Sequence, residues 1–436
     1  MCSGLHRLLN YFCDFLHDLQ AYWFQSFFLT KCYFLCLVST RKLIVVTWFR
    51  KLKDKIRIGL LASKTGVTSF VEQNLAKATK LAVEEINEAG GVLDCELEIV
   101  SSDPASDAGL FANCAEQLLD AGCVVLFGCY MSSSRKAVLP VVERSKSILF
   151  YPTLYEGFEY SSCCIYTGAS PNQNTAFLAD FLVENYEADF IFVGSNYLFP
   201  HETNRMMRNL LINRNREVLY ETYVPLHANK SHFCPVIKEI KRRPEAVIFS
   251  TVVGQNAIDF AELCFEAGMP SNTHQIASLT FGEVEAAAAG HEVARGIIRA
   301  APYFESLKSS SNKKFISKFK SRFGLDVPIS AETEAAYFQV HLFAEAAKRS
   351  GSTSRHNILQ VIPTFTLEAP QGPIRVDGRT HHTHLWPKIG IFGKDGRFDI
   401  VKGSPYPINP DPYLIESEIQ TRNWGKPAYS GDNRRG

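Results

Sequence analysis

The chain has 436 residues, which is long for one compact domain and ordinary for two. Its 46 basic and 45 acidic residues nearly balance, which argues against direct nucleic-acid binding, because such binding needs a basic surface. An apolar content of 46% and a charged content of 21% are typical of a soluble globular protein.

Residues 1–55 differ from the rest of the chain, because aromatic residues, leucine and cysteine crowd between scattered lysines and arginines. Their longest uncharged run, 19–30, is too short to span a membrane. A signal peptide has a positively charged start, then an apolar core, then a cleavage site of small residues. Residues 1–55 do not show this order. Three interpretations stay open: a membrane-surface anchor, a degenerate export signal, or sequence translated from upstream of the true start.

The 12 cysteines include no CxxC pair, so neither a zinc site nor a redox motif is indicated. We expect buried or free thiols, which are typical of a reducing compartment. Because no export signal is recognisable, the sequence predicts a cytoplasmic protein. The alternative is a periplasmic location, or attachment to a membrane through residues 1–55.

From residue 56 onward, short apolar runs alternate with amphipathic segments, which predicts parallel strands joined by helices. The first group of predicted strands covers 56–61, 97–100, 124–127 and 148–151. After a turn at 168–172 the second group covers 190–193, 217–224, 246–249 and 275–279, and a third block, about 296–350, begins with a strand at 296–300. Helices are predicted at 108–119 and 331–348, among others. The predicted fold is α/β, with two Rossmann-like lobes of parallel sheet flanked by helices and a ligand cleft between them.

Hydroxyl and aromatic residues follow the ends of several predicted strands. In open α/β sheets, ligands bind beyond the carboxyl ends of the strands. These positions hold Tyr130, Ser132, Tyr151 and Thr153 in the first lobe, and Tyr197, Phe199 and Thr280 in the second. Such a lining suits a small, neutral, polar ligand. The alternative is that these side chains cap helices and cover the core.

Residues 133–136 read Ser-Ser-Arg-Lys, which matches the Ser-x-x-Lys pattern of a hydrolase nucleophile. In such enzymes a Lys-Thr-Gly follows the nucleophile, whereas here it precedes it, at 64–66, and no Ser-Asp-Asn lies between. A Ser-Lys amidohydrolase is therefore a remote alternative. The serines are more simply interpreted as caps of a helix N-terminus.

Further titratable clusters have simple structural interpretations. His381, His382 and His384 lie in a turn-rich tail without a cysteine or carboxylate cluster, so we expect an exposed loop and no metal site. Two pairs are interpreted as solvated loop carboxylates or caps: Asp103 with Asp107, and Glu156 with Glu159. No P-loop or Gly-x-Gly-x-x-Gly follows a predicted strand, and no cofactor is predicted.

Several strings of residues resemble the amide- and urea-binding branch of the type I periplasmic binding protein superfamily. They cover 128–144, 151–161, 171–174, 249–254, 369–373 and 410–413. The resemblance extends over about 56–425 and is strongest to the amide sensors that negatively regulate aliphatic amidase operons. The urea- and amide-binding components of ABC transporters come next.

The resemblance implies a division of the chain into lobes that close on a ligand. It assigns 56–170 and 301–365 to lobe 1, and 171–300 and 366–425 to lobe 2, followed by a polar tail at 426–436.

The resemblance also implies roles for the residues at the strand ends. Ser132 and Thr153 match positions that hydrogen-bond the ligand amide. Tyr130, Tyr151 and Tyr197 match the pocket walls, with Tyr197 and Thr280 on the side of the second lobe. The sequence departs from the sensors in having Leu154 in place of proline and Phe199 in place of tyrosine, which changes the shape of the pocket.

The preferred hypothesis is a non-enzymatic, ligand-gated sensor of short-chain aliphatic amides or urea, with a transcription antitermination regulator as its partner. The alternative is the substrate-binding component of an ABC importer for urea, amides or branched-chain amino acids, with a permease as its partner. For an amino acid, Glu156 or Glu305 would hold the ammonium group, since an unpaired buried charge is costly. A homo-oligomer is compatible with either hypothesis.

Overall fold

The structure, a computed structural model, describes residues 34–39, 42–47, 54–243 and 245–414. Residues 1–53 form one unit and the chain from Asp54 forms a second. In the first unit, strands β1 (Phe34–Ser39) and β2 (Lys42–Thr47) pair antiparallel. The rest of the predicted anchor or signal region, and the predicted polar tail, lie outside the described residues.

A parallel five-stranded sheet forms the centre of the first lobe. Its strands are β3 (Lys55–Leu61), β4 (Glu96–Ser102), β5 (Leu126–Gly128), β6 (Leu149–Tyr151) and β7 (Cys164–Tyr166). The helices that connect them are α1 (Ser69–Glu88), α2 (Ala108–Asp120) and α3 (Ser132–Arg144). The spatial order β4-β3-β5-β6-β7 is that of a doubly wound fold, whose ligands bind at the carboxyl edge of the sheet.

A seven-stranded sheet forms the centre of the second lobe. Its five parallel strands are β8 (Asp189–Ser195), β9 (Val218–Val224), β10 (Ala246–Thr251), β11 (His274–Ser278) and β12 (Ile298–Ala301). Their order β9-β8-β10-β11-β12 repeats that of the first sheet. The helices of this part are α4 (Thr175–Asn185), α5 (Leu198–Ile212), α6 (Lys230–Lys241), α7 (Gln255–Glu266), α8 (Glu283–Ala289) and α9 (His291–Ala294).

After β12 the chain returns to the first lobe and then crosses again. The returning helices are α10 (Ser310–Phe323), α11 (Ala331–Ser350) and α12 (Arg355–Val361), and α11 packs against α1. A small antiparallel sheet follows, with β13 (Leu367–Ala369), β14 (Gly372–Val376) and β15 (Thr383–His384). Finally β16 (Lys388–Phe392) and β17 (Phe398–Gly403) extend the second sheet in antiparallel fashion. None of the helices within the described ranges has the length and apolar character that crossing a bilayer requires.

Three buried aromatic rings fix α11 on the first sheet. Phe127 of β5 and Phe150 of β6 stack with ring centroids 5.1 Å apart. Phe343 of α11 packs edge-on against both, at 5.9 Å and 6.3 Å. Burial of such rings is the main favourable contribution to folding, and edge-on pairing adds to it.

These two sheets confirm the predicted α/β class with parallel sheets flanked by helices. Strand β7 was not predicted, because three residues give too short an apolar run to separate from a turn. Strands β16 and β17 lie in the turn-rich tail, where no individual strand was predicted. The implied residue boundaries of the lobes stay a prediction.

Replacing Phe343 by alanine should remove the ring that joins α11 to the first sheet. We expect the free energy of unfolding to fall by about 3–5 kcal/mol, since both the transfer term and a cavity contribute. Denaturation in guanidinium chloride measures this. The matched control is Phe265→Ala on α7, where the side chain is 45% exposed and the change should stay within about 0.5 kcal/mol. Equal losses in the two variants would contradict the packing argument.

Candidate ligand-binding site

The turn after β5 carries the first predicted site residues to the carboxyl edge of the sheet. Gly128 has φ +126°, and a Cβ there would lie 2.0 Å from the carbonyl oxygen of Leu61, so only glycine fits. Cys129 follows with φ +64°, an uncommon conformation for a residue with a side chain. This sharp turn places Tyr130 beside the first residue of α3, Ser132.

The structure brings the aromatic members of the predicted site together from both lobes. Of the seven predicted residues six are buried, and Tyr197 is partly buried. Tyr197 of the second lobe lies close enough to Tyr130 and Tyr151 of the first to interact with them electrostatically. The ring of Phe199 lies 6.3 Å from that of Tyr197. The four rings thus lie near one another, and their role as walls of a ligand cleft stays a prediction.

Four of the predicted residues give their hydroxyl proton to an acceptor of the protein itself. The bonds run from Tyr151 to the Tyr130 carbonyl (3.0 Å), from Thr153 to the Cys129 carbonyl (3.4 Å), from Thr280 to the Val252 carbonyl (2.7 Å), and from Ser132 to the Glu156 carboxylate. A hydroxyl group has one proton and two lone pairs. These four groups therefore present lone pairs, and act as acceptors toward anything else.

Two tyrosine hydroxyls keep their protons available. Among the described residues, no hydrogen bond from the hydroxyl of Tyr130 or Tyr197 is found. Burial raises the pKa of both groups well above the ordinary value, so both remain donors. Tyr130 comes from the first lobe and Tyr197 from the second.

A buried ion network stands directly behind Ser132. Arg135 of α3 is fully buried, and its Nη2 lies 2.8 Å from Oε1 of Glu156. Its Nε lies 2.7 Å from Oε1 of Glu159, which also pairs with Lys136 at 2.8 Å. The prediction of solvated loop carboxylates was thus wrong for Glu156 and Glu159, because both carboxylates bind one guanidinium group.

Burial and charge pairing oppose each other in this network. Burial alone would lower the pKa of Arg135, but the charges of Glu156 and Glu159 raise it well above its ordinary value. Burial would raise the pKa of Glu159, but Arg135 and Lys136 lower it to about 2. Arg135 and Glu159 are therefore charged at neutral pH.

A sequence signal for this network exists. Arg135 lies three, four and seven residues before Val138, Leu139 and Val142, which form the buried face of α3. An arginine on an apolar helical face must find a carboxylate, since a buried unpaired charge is costly. The identity of its partner could not be read from the sequence, because the loop that carries Glu156 is brought there by the fold.

Aromatic stacking extends the network toward the tail of the chain. The guanidinium of Arg135 lies 4.9 Å from the ring centroid of Tyr151 and 4.7 Å from that of Tyr155. Tyr155 stacks on Tyr166 at 5.1 Å, and Tyr166 stacks on His382 at 4.1 Å. The Tyr155 hydroxyl also bonds Nε2 of His382.

The expected exposed histidine loop was wrong. His381, His382 and His384 are all buried, with 8% or less of each exposed. Nδ1 of His382 bonds the Thr380 carbonyl at 2.6 Å, so the Nδ1–H tautomer accepts from Tyr155. Burial lowers the pKa of His382 to about 3, which keeps the ring neutral. The role of His382 is to pack the tail against the loop after β6.

A second buried ion cluster joins the lobes. Arg299 of β12 lies 2.7 Å from Glu332, in the first turn of α11, and 3.3 Å from Glu283 of α8. Gly282 makes room for it, since a Cβ there would lie 1.7 Å from Nη1 of Arg299. Burial raises the pKa of Glu283 to about 8, although Arg299 opposes the shift. The carboxylate of Glu332 comes from the helix that packs on the first lobe, so this pair spans the two lobes.

The two lobes also touch at the N-terminus of α7. The backbone N–H of Gln255 donates to the carbonyl of Val67, at 3.3 Å. The preceding Gly254 has φ +64° and ψ −145°, and a Cβ there would lie 2.5 Å from the same carbonyl oxygen. These contacts hold the carboxyl edges of the two sheets against each other.

A narrow crevice lies beside the predicted residues. It is lined on the first lobe by Pro152, Leu154 and Thr167 to Ala169, and on the second by Asn174 and Ala300 to Pro302; α11 adds Ala331, Glu332 and Ala335. Leu154, the residue at which the sequence departs from the family resemblance, is thus one of the residues that line this crevice. None of the seven predicted residues lines it, although Thr153 lies between two residues that do.

The Ser-x-x-Lys segment does not form a nucleophile–base pair. Nζ of Lys136 bonds Glu159 at 2.8 Å and its side chain is 47% exposed. Ser134 donates to the carbonyl of Met131, at 2.6 Å. The predicted capping role of the serines was wrong, because the N-cap of α3 is Met131, whose side chain accepts no hydrogen bond from the N–H groups of the helix.

The other predicted carboxylate pair behaves as expected for caps and loop acceptors. Asp107 caps α2 by accepting from the N–H of Leu110 at 2.8 Å. Asp103 accepts from the N–H groups of Lys64 and Ala105 at 2.8 Å and 3.0 Å.

A further carboxyl group at the end of β3 escaped the sequence prediction. Glu72 of α1 is 1% exposed, and it accepts from the N–H of Ser63 at 2.8 Å and from the hydroxyl of Thr68 at 2.6 Å. Burial raises its pKa to about 7, and the charge of Asp103 adds to the shift, while the bonds from Thr68 and Ser63 oppose it.

The family model "Periplasmic binding protein domain" matches residues 56–418 of the chain. The chain belongs to this family. Solved structures of solute-binding proteins share its fold. One from Rhodopseudomonas palustris HaA2, in complex with p-hydroxybenzoic acid, is 19% identical, with a TM-score of 0.76 over 84% of this chain and 100% of that one.

Two further solved structures and one curated protein are also similar to this chain. A solute-binding protein of Rhodopseudomonas palustris BisB5 with 3,4-dihydroxybenzoic acid is 19% identical, with a TM-score of 0.73 over 81% of this chain and 98% of that one. The branched-chain amino acid transporter protein LivJ of Streptococcus pneumoniae, with isoleucine, is 18% identical, with a TM-score of 0.70 over 80% and 98%. "Limonene hydroxylase" of Geobacillus stearothermophilus is 32% identical over 134 residues, 31% of this chain and 24% of that protein. The match thus spans about a quarter of that relative's length.

Family membership corrects the predicted location. A periplasmic binding protein family indicates the periplasm, the stated alternative, and the cytoplasmic prediction was wrong. Free thiols do not decide the compartment: the eight cysteines in the described chain after Asp54 are free, and six of them are buried, where a thiol packs as a small apolar group in any compartment.

Glu72→Gln should change how the stability of this binding protein depends on pH. Folded Glu72 holds its proton up to about pH 7, while the unfolded chain releases it near 4.5, so wild-type stability falls as pH rises between these values. The glutamine variant lacks this loss. As the pH rises from 5 to 8, its free energy of unfolding should therefore increase relative to that of the wild type by on the order of 1–3 kcal/mol.

Guanidinium denaturation at several pH values measures the difference. Glu88→Gln, at the exposed end of the same helix, is the matched control and should track the wild type. A Glu72→Gln curve parallel to that of the wild type would contradict the assignment.

Proposed function

We propose that this chain is the non-enzymatic, solute-binding component of an ABC importer, and that its ligand is a small neutral molecule rich in N–H donors. Urea and short-chain aliphatic amides are molecules of this kind. The ligand would lie in the cleft between the lobes, among Tyr130, Ser132, Thr153, Tyr197 and Thr280.

The direction of the hydroxyl hydrogen bonds carries the proposal. Ser132 and Thr153 in lobe 1, and Thr280 in lobe 2, have their protons engaged within the protein and offer lone pairs. The hydroxyls of Tyr130 and Tyr197 supply protons. A primary amide has one carbonyl acceptor and two N–H donors, and urea has four N–H donors, so both match a cleft with more acceptors than donors.

Carboxylate ligands match this cleft poorly. Buried acidic side chains flank it from both sides, with Glu156 behind Ser132 and Glu283 and Glu332 around Arg299. Arg135 already pairs with Glu156 and Glu159, and Arg299 with Glu332 and Glu283, so acidic side chains of the protein itself surround both arginines. The benzoates and the amino acid bound by the structural neighbours therefore need a different set of partners.

The importer role is favoured over the amide sensor that the sequence suggested. Similar structures include solute-binding proteins of ABC transporters. The partner in this role is a permease, which replaces the transcription antitermination regulator.

Lobe closure is the mechanism we infer for capture. The contact of Gln255 with Val67 and the pair of Arg299 with Glu332 both cross from one lobe to the other. A ligand that bonds both lobes shifts the equilibrium toward this closed arrangement by its differential affinity for it.

Titration by calorimetry should detect binding of urea or acetamide to the purified chain. Ser132→Ala and Thr153→Val should each lower the affinity about tenfold, since each removes an acceptor worth about 1.4 kcal/mol. Leucine and p-hydroxybenzoate should not bind. The matched control is Thr79→Val, because that hydroxyl is buried in α1 without a hydrogen-bond partner within the described chain. Tight binding of leucine or p-hydroxybenzoate, with no amide or urea binding, would overturn the proposed ligand class.

Gly254→Ala should weaken ligand binding by obstructing closure. Its Cβ would lie 2.5 Å from the Val67 carbonyl oxygen in the closed arrangement, so we expect at least about a tenfold loss of affinity. Gly290→Ala is the matched control, because Gly290 shares a positive φ with extended ψ, and nothing lies within 4 Å of its Cβ position. Both variants should lose stability, but only Gly254→Ala should lose affinity. Equal affinity in the two variants would show that the contact with Val67 does not form on binding.

A further inference from the structure

We propose that Glu156 decides which ligands the cleft accepts: by taking the hydroxyl proton of Ser132, it turns Ser132 into an acceptor, so that N–H donors bind and carboxylates are rejected. This inference rests on the proposed function and names the residue that sets its specificity.

The geometry around Ser132 leaves one approach open to a ligand. Its hydroxyl donates to Oε2 of Glu156, and it accepts from Nη1 of Arg135 at 3.2 Å. With the proton and one lone pair engaged, one lone pair remains. Only a donor can use that lone pair.

Glu156 is held in place from its other oxygen. Nη2 of Arg135 donates to Oε1 of Glu156 at 2.8 Å, and the glutamate is 2% exposed. Arg135 is in turn fixed by Glu159 and by the rings of Tyr151 and Tyr155. The carboxylate therefore cannot swing away from Ser132 without breaking a buried ion pair, which is strongly unfavourable.

The charge of Glu156 also reaches the cleft walls. It acts on the hydroxyl groups of Tyr151 and Tyr197, one in each lobe. A ligand carboxylate at Ser132 would face a lone pair of the serine oxygen. Behind that hydroxyl group lies the negative charge of Glu156, which would repel it. Its neutral amide analogue would place an N–H there instead.

Glu156→Gln reverses this polarity with little change of shape. The glutamine oxygen can keep the bond from Arg135, and its NH₂ group can donate to Ser132, which frees the serine proton for the ligand. Acetamide and acetate form the test pair, since they have the same size and differ in N–H donors and charge. In calorimetry we expect acetamide to bind about tenfold more weakly and acetate about tenfold more tightly. The ratio of acetamide to acetate affinity should therefore fall by at least about 100-fold.

The matched control is Glu159→Gln. It also removes one carboxylate from Arg135, at 2.7 Å from Nε, but Glu159 does not touch Ser132. Its acetamide to acetate ratio should stay within about threefold of the wild type. An equal shift in the two variants would overturn the inference, because the charge of the network and not the serine proton would then decide.

Ser132→Ala provides a second measurement that does not depend on how Glu156→Gln folds. This variant should lose acetamide affinity without gaining acetate affinity. In the Ser132→Ala background, Glu156→Gln should no longer shift the ratio, because the hydroxyl that it acts through is absent. A full shift in that background would overturn the inference.

Failure of the inference and failure of the proposed function differ in the wild type. If the wild type binds acetamide or urea and Glu156→Gln lowers acetamide and acetate binding alike, the inference falls and the proposed function stands. If the wild type prefers acetate, or binds no amide and no urea, both fall.

Discussion

The buried guanidinium of Arg135 is the constraint on which the first half of the cleft depends. A charge removed from water must be paired, and its two carboxylate partners lie on one loop, at Glu156 and Glu159. That loop follows β6, so the ion pairs draw it over the N-terminus of α3. The same guanidinium supports the rings of Tyr151 and Tyr155, through which His382 fastens the tail of the chain. One side chain thereby ties three separated segments to the edge of a sheet.

Arg299 is the corresponding buried guanidinium of the second lobe, but its ion pair connects the two lobes. It lies in the last parallel strand of the second sheet, and its partner Glu332 begins the long helix that packs on the first. The position of α11 is fixed by Phe343 against Phe127 and Phe150. Aromatic packing therefore sets where the carboxylate lies, and the ion pair transmits that position to the other lobe.

The sequence was sufficient for the alternation of strands and helices, because apolar periodicity is local. It placed the hydroxyls and rings at the strand ends for the same reason, and the structure brings Tyr130, Tyr151 and Tyr197 together as the parallel order requires. What it could not supply were pairings between distant segments. The carboxylates of Glu156 and Glu159 looked solvated because their partner lies 21 and 24 residues earlier. The histidines looked exposed because the turns around them are polar, while Tyr166, more than two hundred residues earlier, covers His382.

The closeness of the two sheet edges has a kinetic meaning. The crevice between the lobes is narrow, and the contact at Val67 and the Arg299 pair both join one lobe to the other. On the proposed mechanism, a solute enters or leaves only while the lobes are apart. Its residence time is set by the rate at which those contacts break, and its capture rate reaches a plateau at high solute concentration, where opening becomes the slow step. On the proposed mechanism, substitutions at the lobe contacts would change how long a solute is held, while substitutions around Ser132 would change which solute is bound.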